Sequence, residues 1–156
     1  MYLEKSRNHD AQGAHAVVFF KDGRAIKVFK RQHGEEYVRN VYKDEVAAYE
    51  RAKTFDQLRP VVSHFVGPTR CCRITDYRGN DISNEFILDC AYEMERIDGD
   101  FVEIGKLPFE SRWRIERLFE GTGINHINDC SAIIDADGSV RHVIDFAIRE
   151  YEFTES

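Results

Sequence analysis

Apolar and polar residues follow two different periods along the first third of the chain. Two β-rich apolar runs, residues 16–20 and 25–29, flank the pair Asp22-Gly23, which is typical of a tight hairpin turn. Residues 34–55 then carry apolar side chains at helical spacing, together with alanines that favour a helix. This part of the chain therefore predicts a hairpin followed by a helix.

The rest of the chain alternates between strand and helix patterns. Residues 69–77 and 85–96 flank the turn-rich segment RGNDISN and predict an antiparallel pair. Residues 97–107 predict a linker with a short strand, and residues 131–146 predict a second hairpin around an Asp-Gly turn. Residues 108–123 begin with proline and end in glycines, as helices commonly do. The predicted apolar face of that helix contains Trp113, Ile115, Leu118 and Phe119.

The order of these elements sets the predicted architecture. Strands, a helix, strands, a linker, a helix and a hairpin follow one another, without an internal repeat. We predict an α+β fold formed by one domain over residues 1–156. Its N-terminal lobe (1–98) holds an antiparallel sheet with one helix, and its C-terminal lobe (99–156) is small.

Composition and charge narrow the class of protein. The chain has 156 residues, of which 42% are hydrophobic and 12% aromatic, enough for a packed core. A net charge of −6 argues against general nucleic-acid binding. No apolar run reaches the roughly 20 residues of a membrane-spanning helix, and the N-terminus lacks the apolar core of a secretory signal. We therefore expect neither nucleic acid nor membrane as a partner.

The four cysteines indicate a reducing compartment. Cys71 and Cys72 are adjacent and cannot form an ordinary disulfide with each other. The remaining cysteines, Cys90 and Cys130, complete no C-x-x-C pair of the kind that binds zinc. We expect free thiols and a cytoplasmic location, which includes the cytosol of a host cell for an injected protein.

Three charged residues interrupt otherwise buried patterns. Lys27 lies within the strand pattern AIKVF, Glu45 within the following helix, and Asp145 at the end of the last hairpin. A lysine held by a glutamate and opposed by a metal-binding aspartate suits a nucleoside triphosphate, because phosphoryl transfer needs positioning and charge neutralisation. Taken singly, Lys27 as an edge-strand lysine and Glu45 as an exposed helix charge would be the simpler interpretation.

Five segments in the same order resemble the protein-kinase-like superfamily. AIKVF resembles its V-A-I-K strand, which implies that Lys27 contacts the α- and β-phosphates of ATP. DEVAAYERA is similar to its helix C, with Glu45 as the ion-pair partner of Lys27. VIDFA resembles the D-F-G segment, with Asp145 as a Mg²⁺ ligand and Ala147 in place of glycine. GINHINDCSAIIDADG resembles the catalytic loop and the hairpin that follows it.

The segment YEMERIDGD resembles the hinge of the same superfamily. This resemblance places Met94 at the gatekeeper position and the backbone of Glu95 and Ile97 against adenine. The glycine-rich loop is represented by Gly13 alone, and the backbone amides of residues 12–15 would cover the phosphates there.

The catalytic loop departs from the family pattern H-x-D. If His126 matches the family histidine, Asn128 occupies the position of the catalytic base. If Asp129 is the base, Ile127 replaces the histidine; we favour Asp129 because accepting a proton requires a carboxylate. The asparagine that holds a second metal ion is missing, and Ser131 is the nearest candidate to replace it.

The resemblance leaves three functions open. The first is a minimal kinase that uses ATP and Mg²⁺ to phosphorylate a protein hydroxyl of Ser, Thr or Tyr. Only ten residues follow Phe146, too few for an activation segment and substrate-binding helices, so a protein partner would supply the docking surface. The second is a pseudokinase that acts as a binding module or scaffold. The third, a small-molecule phosphotransferase, fits less well because such enzymes carry an extensive substrate lobe.

The short C-terminal lobe also predicts an exposed apolar surface. Such a surface would bind a host protein or a second copy of the chain.

Overall fold

A computed structural model describes residues 1–6, 11–12, 15–32 and 34–150. Over these residues the fold is α+β, with mainly antiparallel sheets and three α-helices. The chain divides into two compact units. The first unit combines Met1–Tyr42 with Phe65–Arg96, and the second combines Lys43–His64 with Ile97–Glu150. The single domain over residues 1–156, with lobes 1–98 and 99–156, stays a prediction.

An antiparallel sheet of five strands forms the centre of the first unit. The strands of this unit are β1 (Tyr2–Glu4), β2 (Ala11–Gln12), β3 (Ala16–Lys21), β4 (Arg24–Lys30), β5 (Phe65–Thr69), β6 (Arg73–Thr75) and β7 (Phe86–Glu95). The order in the five-stranded sheet is β2-β3-β4-β7-β5, so β4 lies in the middle. The predicted hairpin is confirmed as β3 and β4, and its turn residues Asp22 and Gly23 have φ angles of 51° and 75°. Positive φ at both turn positions matches the twist of the flanking strands.

The predicted pairing of residues 69–77 with 85–96 was wrong in part. β5 pairs antiparallel with β7, but β6 leaves this sheet and pairs in parallel with β1. Ile74 of β6 and Leu3 of β1 are both buried in the same apolar cluster, which explains why β6 pairs with β1. The strand pattern alone did not reveal this break because the N-terminal partner is distant in sequence.

Helices and a small sheet form the second unit. The elements are α1 (Glu35–Ala52), α2 (Arg59–Val62), β8 (Val102–Glu103), α3 (Phe109–Phe119), β9 (Ser131–Ile134) and β10 (Val140–Ile144). The predicted long helix is confirmed as α1, and the boundary between the two units falls inside this helix, after Tyr42. The predicted C-terminal hairpin is also confirmed: β9 pairs antiparallel with β10, and β8 pairs with β9 on its other side.

Helix α3 confirms the predicted helix after Pro108 but corrects its apolar face. Ile115 and Phe119 are buried, with 0% and 4% of their surface exposed, as expected. Trp113, in contrast, is 48% exposed, so its inclusion in the buried face was wrong. The buried face of α3 is therefore narrower than its sequence of apolar residues suggests, because the large side chain of Trp113 faces solvent. No helix among the described residues is both long and apolar enough to cross a membrane.

Candidate functional site

The open end of the β9–β10 hairpin brings three predicted site residues together. Ser131, the first residue of β9, lies opposite Ile144, the last residue of β10. Asp145 follows Ile144 directly, and Asp129 precedes Ser131 by two residues. We call Asp129, Ser131 and Asp145 the hairpin-end cluster. The strand pairing therefore places the predicted base and both predicted metal ligands at one end of the same hairpin.

Backbone hydrogen bonds hold the loop before β9 against the segment after β10. The N–H of His126 donates to the carbonyl of Ala147 at 3.1 Å, and the N–H of Ala147 donates back to His126 at 3.0 Å. One residue further out, the N–H of Asn125 donates to the carbonyl of Ile148 at 3.1 Å. This short antiparallel bridge keeps the loop carrying Asp129 beside the segment carrying Asp145.

Asp129 combines an ordered contact with solvent access. Its Oδ2 lies 3.2 Å from Nε2 of His126, an ion-pair distance when the imidazole is protonated. The Asp129 side chain is 79% exposed, so its carboxylate remains open to an incoming molecule. A tight turn supports this arrangement, since the N–H of Cys130 donates to the carbonyl of Ile127 at 3.1 Å. His126 thus orients the carboxylate without burying it.

A buried thiol lies between Asp129 and Ser131 in the sequence. Cys130 is fully buried, and this burial raises the pKa of its thiol to about 12, with smaller contributions from the charges of Asp145 and Asp129. At neutral pH Cys130 therefore remains a protonated, unreactive thiol.

Asp145 has an unusual backbone conformation. Its φ angle is 64°, in the left-handed region that few residues other than glycine adopt without strain. The preceding strand ends at Ile144, and the side chain of Asp145 is exposed whereas the next residue, Phe146, is fully buried. The left-handed residue thus turns the chain so that the carboxylate faces solvent and the adjacent ring enters the core.

Aromatic packing and one hydrogen bond anchor Asp145. The Phe146 ring centroid lies 4.4 Å from that of Tyr49 on α1 and 5.0 Å from that of Phe119 on α3. The backbone N–H of Asp145 donates to the hydroxyl of Tyr49 at 3.3 Å. The exposed carboxylate is consequently attached to a stretch of backbone that buried aromatic side chains hold in place.

The second half of α1 is also attached to the segment after Asp145. The N–H of Ile148 donates to the carbonyl of Asp44 at 3.3 Å. Arg149 Nε lies 3.3 Å from Asp44 Oδ2, an ion-pair distance.

Glu45 is only 9% exposed, so its interpretation as a solvated helix charge was wrong. It lies one helical turn before Tyr49 and therefore on the same face of α1.

Lys27 lies at the centre of the first unit's sheet. It occupies β4, opposite Val18 of β3 and Tyr92 of β7, so the edge-strand interpretation was wrong. Its ammonium nitrogen lies 5.3 Å from the centroid of the Phe29 ring and 5.7 Å from that of Tyr92. Both distances allow cation–π attraction, which holds the half-buried amine over aromatic faces. The proposed pairing of Lys27 with Glu45, and its approach to Asp145, involve the two separate units and stay predictions.

The predicted adenine contacts fall at the junction of the two units in sequence. Met94 is half-buried and Glu95 exposed at the end of β7, while Ile97 is the first residue of the second unit after that strand. Gly13, the predicted phosphate-loop residue, lies outside the described residues.

The second unit contains a pair of histidines in ring contact that the sequence pattern did not predict. His64 is only 1% exposed, and neither ring nitrogen has a hydrogen-bond partner within the part of the chain that the structure describes. Its ring centroid lies 5.2 Å from that of His142 on β10, with the two rings perpendicular. Burial first, then the charges of His142 and Lys53, lowers the pKa of His64 to about 4. The signal in the sequence was a histidine within the apolar run VVSHFVG.

The oxygen atoms of the hairpin-end cluster fit a hard divalent cation. Among the described residues, no group of three or more His, Cys, Asp or Glu side chains is placed to hold a metal ion. Mg²⁺ needs no such group, since proteins usually bind it through one or two carboxylates plus water and substrate phosphates. The exposed carboxylate of Asp145 matches that requirement.

No protein-family model, no curated protein and no solved structure matches the chain.

Proposed function

We propose that the chain is a minimal, protein-kinase-like phosphotransferase, which uses ATP and Mg²⁺ to phosphorylate a Ser, Thr or Tyr hydroxyl of a protein. The observation that carries this proposal is the hairpin-end cluster, where strand pairing brings Asp129 and Asp145 to one end of the β9–β10 hairpin. Phosphoryl transfer depends on a metal-binding carboxylate near a proton acceptor, and the cluster offers both.

Each residue of the cluster has one role in this proposal. Asp145 would hold Mg²⁺, which when bound neutralises phosphate charge. Asp129 would accept the proton of the incoming hydroxyl, with His126 orienting its carboxylate at 3.2 Å. Ser131, which is 8% exposed, would be at most a weak second metal ligand.

The remaining predicted residues would each contact one part of the nucleotide. Lys27 would neutralise the α- and β-phosphates, with Glu45 as its ion-pair partner. Met94, Glu95 and Ile97 would border adenine, and the loop around Gly13 would cover the phosphates.

The alternative is a pseudokinase, a binding module or scaffold with weak or no catalysis. Ser131 favours it, because a serine hydroxyl that is 8% exposed replaces the asparagine expected as the second metal ligand. In this case the protein would bind nucleotide or a partner and transfer no phosphate.

A protein partner belongs to both versions of the proposal. Phe109 and Trp113 lie one helical turn apart on α3 and are 74% and 48% exposed, which supports an apolar contact with another protein or a second copy of the chain.

We place the protein in the cytoplasm, or in the cytosol of a host cell, because all four cysteines are free thiols. We expect no nucleic-acid partner.

Nucleotide-dependent melting and phosphoryl transfer test the proposal together. ATP with Mg²⁺ at 100 times its dissociation constant should stabilise the protein by about 2.7 kcal/mol. Asp145→Asn should abolish transfer and remove the Mg²⁺-dependent part of this stabilisation, whereas Asp129→Asn should abolish transfer and preserve nucleotide binding. Asp137→Asn is the matched control, since Asp137 lies in the turn at the opposite end of the same hairpin.

The outcomes separate the two functions. Binding without transfer in the unmodified protein would favour the pseudokinase. Unchanged transfer in both Asp145→Asn and Asp129→Asn would remove the assigned roles. Neither binding nor transfer at millimolar ATP would leave only the partner-binding module.

A further inference from the structure

Tyr49 makes a polar contact that its sequence pattern does not predict. The side chain is fully buried on α1, where an aromatic residue at helical spacing would serve for packing alone. A buried phenol oxygen usually finds a hydrogen-bond partner, and this one accepts from the backbone N–H of Asp145 at 3.3 Å. The hydroxyl therefore acts on the residue that the proposed function assigns to Mg²⁺.

The Asp145 amide is the point where the hairpin ladder ends. Ile144 is still paired with Ser131, and the Ala147 amide donates to the carbonyl of His126. Between these two pairings, the amide of Asp145 donates to a side chain on α1. The Tyr49 hydroxyl thus binds the backbone at Asp145, the residue whose φ angle is 64°.

The hydrogen bond can be separated from the packing around it. The Tyr49 ring lies 4.4 Å from the Phe146 ring and 6.3 Å from the ring of His64. Both contacts involve the ring and remain in a phenylalanine variant. The hydrogen bond from the Asp145 amide requires the hydroxyl and is therefore lost in that variant.

We propose that the Tyr49 hydroxyl is a positioning group, which holds Asp145 in its left-handed conformation and so directs the carboxylate toward the metal; this inference rests on the proposed function. Left-handed backbone is unfavourable for an aspartate, so alternative conformations compete with it. A hydrogen bond available only in one conformation shifts that equilibrium. Tyr49 touches neither substrate nor metal in this role.

Tyr49→Phe tests the inference through two readouts. Hydrogen exchange of the Asp145 amide should accelerate about tenfold, the usual effect of one lost hydrogen bond. Exchange rates of amides within β9 and β10 serve as the internal reference for correct folding. Binding of Mn²⁺ in the presence of ADP, followed by paramagnetic relaxation, should weaken about three- to tenfold.

Two further variants act as controls. Tyr42→Phe removes a comparable hydroxyl, which donates to the carbonyl of Ala91 at 3.2 Å in the first unit. It should change neither Asp145 exchange nor Mn²⁺ affinity. Asp145→Asn should abolish Mn²⁺ binding.

The inference is overturned if Asp145 exchange is the same in Tyr49→Phe and the unmodified protein. Equal Mn²⁺ affinity in those two proteins, beside lost affinity in Asp145→Asn, also overturns it while leaving the proposed function intact. If the unmodified protein does not bind Mn²⁺ with ADP, the proposed function fails, and the inference fails with it.

Discussion

The two units hold their candidate functional residues in different ways. Lys27 belongs to a regular ladder, with paired strands on both sides and aromatic rings near its ammonium group. Asp129 and Asp145 lie outside regular elements, one in a tight turn and one at a left-handed residue. A lysine within a sheet is placed by strand periodicity, whereas the carboxylates depend on packing beneath them. The second unit should therefore be the more sensitive to changes in its core.

Removal of the aromatic anchor is expected to have the largest effect. Phe146→Ala deletes a fully buried ring that contacts Tyr49 and Phe119, and it should lower the free energy of unfolding by about 3–5 kcal/mol. Chemical denaturation measures this change. Phe109→Ala is the control, because Phe109 is 74% exposed and its loss should cost little. Similar losses for both variants would contradict the assigned anchor.

Acidification should weaken the second unit through His64. The pKa of His64 is about 4 in the folded protein and 6.5 when unperturbed. Between these values the unfolded state binds the proton and the folded state does not, so stability falls as pH drops from 6.5 to 4. A shift of this size corresponds to roughly 3 kcal/mol. The free energy of unfolding, measured between pH 6.5 and 4, should depend less on pH in His64→Phe than in the unmodified protein. Equal pH dependence in the two proteins would contradict the role of His64.

Relief of backbone strain should separate stability from function. Asp145→Gly places at φ 64° a residue that adopts this conformation freely, which should raise the free energy of unfolding by up to about 1 kcal/mol while abolishing metal binding. Asp22→Gly is the matched control, since its φ is 51° in the first unit's hairpin turn. It should bring a similar gain and leave nucleotide binding unchanged. Marked destabilisation by Asp145→Gly would show that the carboxylate stabilises the fold.

The smallest effect is expected from the first unit's surface. Arg39 and Asp89 form two parallel hydrogen bonds, both of 3.1 Å, and the Arg39 guanidinium holds the pKa of the Asp89 carboxyl below its usual value. Because both side chains are more than one third exposed, a double-mutant cycle with alanine should give a coupling of about 0.5–1 kcal/mol. A coupling above about 2 kcal/mol would contradict the expectation that solvent screening keeps this exposed ion pair weak.

Local patterns predicted the elements better than they predicted the partners of those elements. Both Asp-Gly hairpins and the long helix follow from residues adjacent in sequence, and all three were confirmed. The pairing of β6 with β1 was missed, because it depends on Leu3 and Ile74 meeting in one core cluster. Trp113 was misplaced for a related reason, since periodicity does not say how wide the covered face of a helix is.

The sequence by itself determined the two Asp-Gly hairpins, the two longer helices and the position of each candidate charge, because side-chain period and turn chemistry act over a few residues. Only the tertiary structure decided that Asp129 and Asp145 share one hairpin end, that Glu45 is buried, and that Tyr49 binds the Asp145 amide. These outcomes depend on contacts between residues up to 96 positions apart. No local preference encodes such contacts, because they form only when distant apolar side chains are buried together.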